Sequence, residues 1–186
     1  VGAAGVTDIE TGAQLSPDSG FRAGSIIKPF IATVVLQLVE KGTLSFDDAM
    51  TEMLPEEVTS RFTDSDEITL RMLLNHTSGI PEWISPEVIE RIGANPEKVW
   101  EVGEFLDLAS AQPATFPPGG GWSYSNTDYN LLGVIIEQAT DQSWRKAVRE
   151  RVIEPLDLDH TSLPEPGDIA IEGAFMHGYG IFGGEV

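Results

Sequence analysis

The stretch "GSIIKPF", Gly24 to Phe30, decides how the chain is read. Ser25 stands three residues before Lys28, and the residues that follow are nearly all apolar through Leu38. Ile27, Phe30, Ile31, Val34, Val35 and Leu38 recur at helical spacing, so a helix is expected from about Ile26 to Glu40, with Gly42 as its stop. Positions three apart on a helix share a face, which sets the Ser25 hydroxyl beside the Lys28 amine. The helix N-terminus adds a positive field and N–H donors at the same place. A serine needs an adjacent base to become a nucleophile, and an amine becomes a base when it is desolvated or set beside another cation. An apolar helix face supplies the desolvation. By itself the motif is weak: 13 serines and four lysines in 186 positions give about 0.3 chance matches. A capping serine followed by a surface lysine fits it equally well.

Length and composition narrow the classes. A chain of 186 residues with 41% hydrophobic residues is one domain with enough apolar surface for a core. The net charge is −19, with the acids dispersed and only locally dense at "DSDE", Asp64 to Glu67. Such a surface repels a phosphate backbone, so no nucleic-acid partner is expected, and the charge is read as solubility. The absence of cysteine excludes disulfides, thiolate metal sites and a cysteine nucleophile. His76, His160 and His177 make no H-E-x-x-H and no close pair, so no metal site and no cofactor are expected. No G-x-S-x-G occurs, which disfavours a Ser-His-Asp hydrolase. Lys28 and Pro29 interrupt the best apolar run, so no membrane segment is expected. Val1 opens directly on "VGAAGV", a strand-like start, and the chain is expected to begin inside a larger precursor.

Outward from the nucleophile helix, the expected organisation is α/β. "VGAAGV" and the residues after "TDIETGAQ" suggest a hairpin closed by Gly12. "TLSFDDAM" offers Ser45 as a helix N-cap. Short helices are expected over Leu70 to Asn75 and near Val99 to Ala109. Another runs from about Asp128 to Ala139, and one in "SWRKAVRERVIEPLDL" breaks at Pro155. Residues 1–44 are thus a sheet hairpin and the nucleophile helix, 45–165 a mainly helical subdomain, and 166–186 an irregular tail. Two strands cannot cover the apolar helix that follows them, because an isolated hairpin is marginal. The expectation is one incomplete domain whose remaining sheet strands are absent from this chain.

The second chemical signal is "WSYSN", residues 122–126, in a Pro/Gly/Ser-rich loop. Three tyrosines and four asparagines give fewer than about 0.1 chance matches to the Tyr124-x-Asn126 pair. A tyrosine beside a lysine can shuttle protons, and an asparagine amide can hold a carbonyl. Trp122 is either a wall of the pocket or a core plug. A half-buried tyrosine in a tight turn is the plainer alternative.

Taken together and in order, "FRAGSIIKPF", "LLNHTSGIP", "PPGGGWSYSN", "NLLGVIIEQAT" and "IEPLDL" resemble the SxxK serine acyl-enzyme hydrolases. These comprise the class C β-lactamases, the D-alanyl-D-alanine carboxypeptidases and related esterases. The resemblance covers Val1 to about Tyr179 and implies a β-lactamase/transpeptidase-like fold. It implies that Ser25 attacks the acyl carbon of a small-molecule or peptide substrate, that Lys28 and Tyr124 share the proton work, and that Asn126 binds the substrate amide, with no cofactor. It also implies an extracellular or periplasmic setting. The family carries a third motif, His/Lys-Thr/Ser-Gly, on a strand that supplies an oxyanion donor. "HTSG" at His76 belongs to an earlier landmark and "HGYG" at His177 lacks the hydroxyl residue. A complementary chain supplying that strand is therefore one expectation. A non-catalytic binding or scaffold module of the same fold is the alternative, and an acidic helical interaction protein a third.

Overall fold

The computed structural model describes residues 2–171 and 173–179, which fall into two compact units, Ile27–Gly167 and Val1–Ile26 with Asp168–Val186. Val1, Glu172 and residues 180–186, parts of the expected hairpin and tail, lie outside the described residues. No described helix is long and apolar enough to cross a membrane.

The larger unit is helical: α1 Ile27–Glu40, α2 Met50–Met53, α3 Glu56–Thr59, α4 Leu70–Asn75, α5 Pro86–Ala94, α6 Val102–Ser110, α7 Asn126–Thr140 and α8 Trp144–Val148. Side-chain oxygens of Thr69, Ser85, Ser125 and Ser143 accept from N–H groups of the first turns of α4, α5, α7 and α8. Each satisfies one of the donors that a helix start leaves open. The cap at Ser125 starts α7 two residues before the expected Asp128. Helix α5 was not expected, although Ser85 followed by Pro86 is a strong start signal. Ser45 caps no helix: its N–H donates to Asp48 and its hydroxyl accepts from Asp47, a closed polar turn that ends before α2 begins.

The expected break at Pro155 has a visible cause. Proline has no N–H for the carbonyl four residues earlier, that of Arg151. The chain leaves α8 through a π-type turn, Arg149–Ile153, and Gln37 Nε2 from α1 donates to the Arg151 carbonyl at 3.2 Å.

The core lies where α1 meets α7 and α8. Val34 and Val35 of α1 are fully buried, as are Leu131, Leu132, Ile135 and Ile136 of α7 and Val148 of α8. Leu70 and Leu73 of α4 and Leu106 of α6 belong to the same cluster. The sheet expected to cover the apolar face of α1 is not what buries these side chains; α7 and α8 do, because their own apolar rows supply the complementary surface.

In the smaller unit the expected N-terminal strands are not formed: no extended strand occurs among the described residues. Residues 5–15 fold back as expected, with Gly12 at φ +69°, but hold only one bridge, Val6 to Gln14. The Asp8 carboxylate accepts from Glu10 N–H and the Thr11 hydroxyl, so side-chain bonds take the place of a ladder in the turn. Gly20 bridges Phe175 in parallel.

Leu132→Ala, at a site with no solvent exposure, should cost about 2–5 kcal/mol of stability. Leu36→Ala, on the 48% exposed side of α1, should stay within about 0.5 kcal/mol. Urea unfolding of both variants checks this, and similar losses would show that the α1–α7 seam is not the core.

Candidate active site

Lys28 is the second residue of α1 and is only 9% exposed. An ammonium is costly to bury unless its hydrogens find acceptors and its charge is offset. Its Nζ donates to Asn126 Oδ1 at 2.6 Å and lies 4.7 Å from the centroid of the Tyr124 ring and 5.4 Å from that of Tyr129. Aromatic faces carry negative charge density and attract the cation. The Tyr124 hydroxyl donates to the same Asn126 oxygen at 3.4 Å. Three of the sequence candidates thus converge on one amide oxygen. Trp122, the fourth, is 66% exposed and so is no core plug. Ser25 is exposed in the 3₁₀ turn Gly24–Ile26 of the smaller unit, and the chain runs from that turn directly into α1.

The loop that carries Tyr124 and Asn126 is built on a second loop, residues 76–82. His76 ends α4 in the left-handed conformation, φ 63°. Its carbonyl accepts from Ser123 N–H, and its ring packs 4.8 Å from Tyr124, 5.3 Å from Tyr129 and edge-on 6.2 Å from Trp122. Gly119 N–H donates to the Thr77 carbonyl and Thr115 N–H to that of Gly79. Gly79 has φ +79°, and a Cβ there would stand 2.0 Å from the Phe116 carbonyl oxygen, so no other residue fits. The Thr127 hydroxyl donates to the Pro81 carbonyl, and both Asn126 N–H and Asn126 Nδ2 donate to Glu82 Oε2, at 2.6 and 2.8 Å.

Beneath the loop lies a fully buried carboxyl, Asp128. Ser78 Oγ donates to its Oδ1 at 2.6 Å, and its Oδ2 lies 3.3 Å from His76 Nδ1. Ser125 N–H also points at His76 Nδ1, at 3.3 Å. One ring nitrogen cannot serve both contacts as the same species. With Nδ1 bare, it accepts from Ser125 and the proton of the other contact sits on Asp128. With Nδ1 protonated, it donates to an ionised Asp128. Desolvation raises the Asp128 pKa from 3.8 to about 6, against the lowering effect of its bonds to His76 and Ser78, and the nearby Glu82 charge pushes the same way as burial.

Glu82, Ser78 and Asp128 were not among the sequence candidates, and His76 entered as part of the "LLNHTSGIP" landmark. The first two stand in or beside the quoted "HTSGIP" landmark, but nothing in their spacing shows that they reach across to residues 126 and 128. Among the described residues no group of three metal-ligating side chains is found.

A carboxyl whose pKa is raised on folding binds its proton more tightly in the folded state, so its contribution is complete below about pH 4 and is lost as pH rises toward 6 and above. Relative to Asp128→Asn, which does not titrate, the protein should lose about 2 kcal/mol between about pH 4 and 7. Urea unfolding over that range measures it; a stability difference independent of pH would rule out Asp128 as the titrating group.

Residues 1–180 match the Beta-lactamase family model. An esterase, EstB, of Burkholderia gladioli is 35% identical over an aligned length of 164, with 84% of this chain and 41% of that protein covered. Penicillin-binding protein 4 of Amycolatopsis lactamdurans is 34% identical over 88% of this chain and 41% of its own length. Among solved structures, a D-stereospecific amidohydrolase from a Streptomyces species superimposes with a TM-score of 0.77 at 36% identity, over 82% of this chain and 46% of that one. The chain therefore spans less than half the length of these relatives. Its helices are those of a β-lactamase/transpeptidase-like fold, and the chain belongs to the beta-lactamase family, the SxxK serine hydrolases.

Proposed function

We propose that this chain carries the nucleophile, the proton-transfer groups and part of the substrate pocket of a serine acyl-enzyme hydrolase. Its substrate would be a D-alanyl peptide, a β-lactam or an ester. The observation that supports it most is the buried Lys28 amine, bonded to Asn126 and faced by Tyr124 at the start of α1, three residues after Ser25 in the sequence. Ser25 Oγ attacks the acyl carbon as Lys28 and Tyr124 relay its proton toward the leaving group. The acyl-enzyme then forms, and water attacks it with the same groups acting in reverse. Asn126 Nδ2 holds the carbonyl on the acyl side, and Trp122 walls the open side of the pocket.

The oxyanion that forms on the acyl carbon needs two donors. Ser25 N–H is one. The third family motif has no match in the 186 residues. The second donor is therefore proposed to come from polypeptide outside them, a longer chain or a complementary one. Removing one such donor typically costs about 10²–10³ in rate.

The test is covalent labelling with a fluorescent penicillin and with an activated ester, followed by mass spectrometry. Ser25→Ala should abolish the adduct. Lys28→Ala should slow labelling by about 10²–10⁴-fold, the usual worth of a general base. An adduct on another residue, or undiminished labelling of Lys28→Ala, defeats the assignment.

A further inference from the structure

The Glu82 carboxylate is used in full, yet acyl transfer as outlined above gives it no part. Its Oε1 accepts from Ile84 N–H at 2.8 Å, and its Oε2 accepts from both the main-chain N–H and the side-chain Nδ2 of Asn126, at 2.6 and 2.8 Å. Two donors of one residue bound to a single oxygen close a small ring, and that ring fixes the Asn126 side-chain torsions. The amide has then only one orientation: Nδ2 toward Glu82, and Oδ1 toward Lys28 and the Tyr124 hydroxyl. An amide nitrogen carries two hydrogens, so one remains for an acyl-side carbonyl.

The main chain around Glu82 is held by other groups as well as by this carboxylate. Thr127 Oγ1 donates to the Pro81 carbonyl at 2.7 Å, and Gln112 Nε2 donates to the carbonyl of Glu82 itself at 2.8 Å. Gly79 is tied to Thr115 by its carbonyl. With the main chain also anchored through these groups, and Oε1 taken by Ile84 N–H, Oε2 is given over to Asn126.

We propose that Glu82 is a positioning residue of the acyl-transfer site: it clamps the Asn126 amide so that its oxygen faces Lys28 and Tyr124 while an Nδ2 hydrogen is held for the substrate. This rests on the acyl-hydrolase assignment proposed above. Displacement of a positioned group by about 1 Å can cost up to about 10²-fold in rate, and that sets the size of the effect.

The experiment is a double-mutant cycle in the full-length protein, read by the rate of Ser25 acylation with a fluorescent penicillin and with p-nitrophenyl acetate. Glu82→Ala should slow acylation by about 10–100-fold in the native background and by less than about two-fold in Asn126→Ala, since the clamp acts only through Asn126. Glu82→Gln, which keeps one acceptor oxygen for Asn126, should recover part of the rate. Equal factors in the two backgrounds, or no loss in Glu82→Ala, would overturn the assignment. Failure of the wild-type protein to label with either probe would instead count against the acyl-hydrolase function. The clamp is then read directly by proton exchange of the Asn126 side-chain amide, slow in the wild type and fast in Glu82→Ala, with unchanged exchange overturning it. Thermal melting of each variant separates loss of aim from loss of fold.

Discussion

Lys28 places an ammonium on the inner side of α1, in the seam that buries Val34 and Val35 against α7. Removing a charge from water costs several kcal/mol unless the protein returns what water gave it. One amide oxygen and two phenol faces from residues 124–129 supply part of that return. Asn126 is the first residue of α7, directly after the Ser125 cap that starts the helix, so the contact with the lysine ties that helix end to α1. The apolar rows of α1 and α7 pack beside this polar contact.

The second constraint concerns the loop that delivers Tyr124. A stretch with five glycines and prolines among residues 117–121 has little preference of its own. Its conformation is copied from residues 76–82, which present carbonyls at His76, Thr77 and Gly79 and side chains at His76, Ser78 and Glu82. The buried Asp128 closes the arrangement from below. Fixing a flexible loop through another loop, itself locked at the end of α4, gives the polar cluster a geometry that either segment alone would not hold.

Much of this was legible in the sequence. The apolar spacing of residues 27–38 located α1, and Ser25-x-x-Lys28 with Tyr124-x-Asn126 identified three side chains that do converge. Helical period and turn residues are local signals, and they carried those assignments. The strands near the N-terminus were overread, because a strand-like stretch such as "VGAAGV" says nothing about whether a neighbour is present to hold a ladder. The sheet expected over α1 was an inference from an apolar face, and such a face does not declare whether a sheet or two helices will cover it. Glu82 and Asp128 were invisible for a different reason. One acidic residue among 30 has no mark until a partner more than 40 positions away is known to lie beside it.

The contact at Gly79 divides the two sides of the loop pair unequally. Opposite its α-carbon stands a main-chain carbonyl, that of Phe116, and its own carbonyl receives a main-chain N–H, that of Thr115. Every residue type supplies a carbonyl, and every type except proline supplies the N–H. The glycine is thus irreplaceable, while the identity of Thr115, which faces it through main chain alone, is nearly free. A library randomised at both positions should return a single letter at 79 and a wide alphabet, short of proline, at 115.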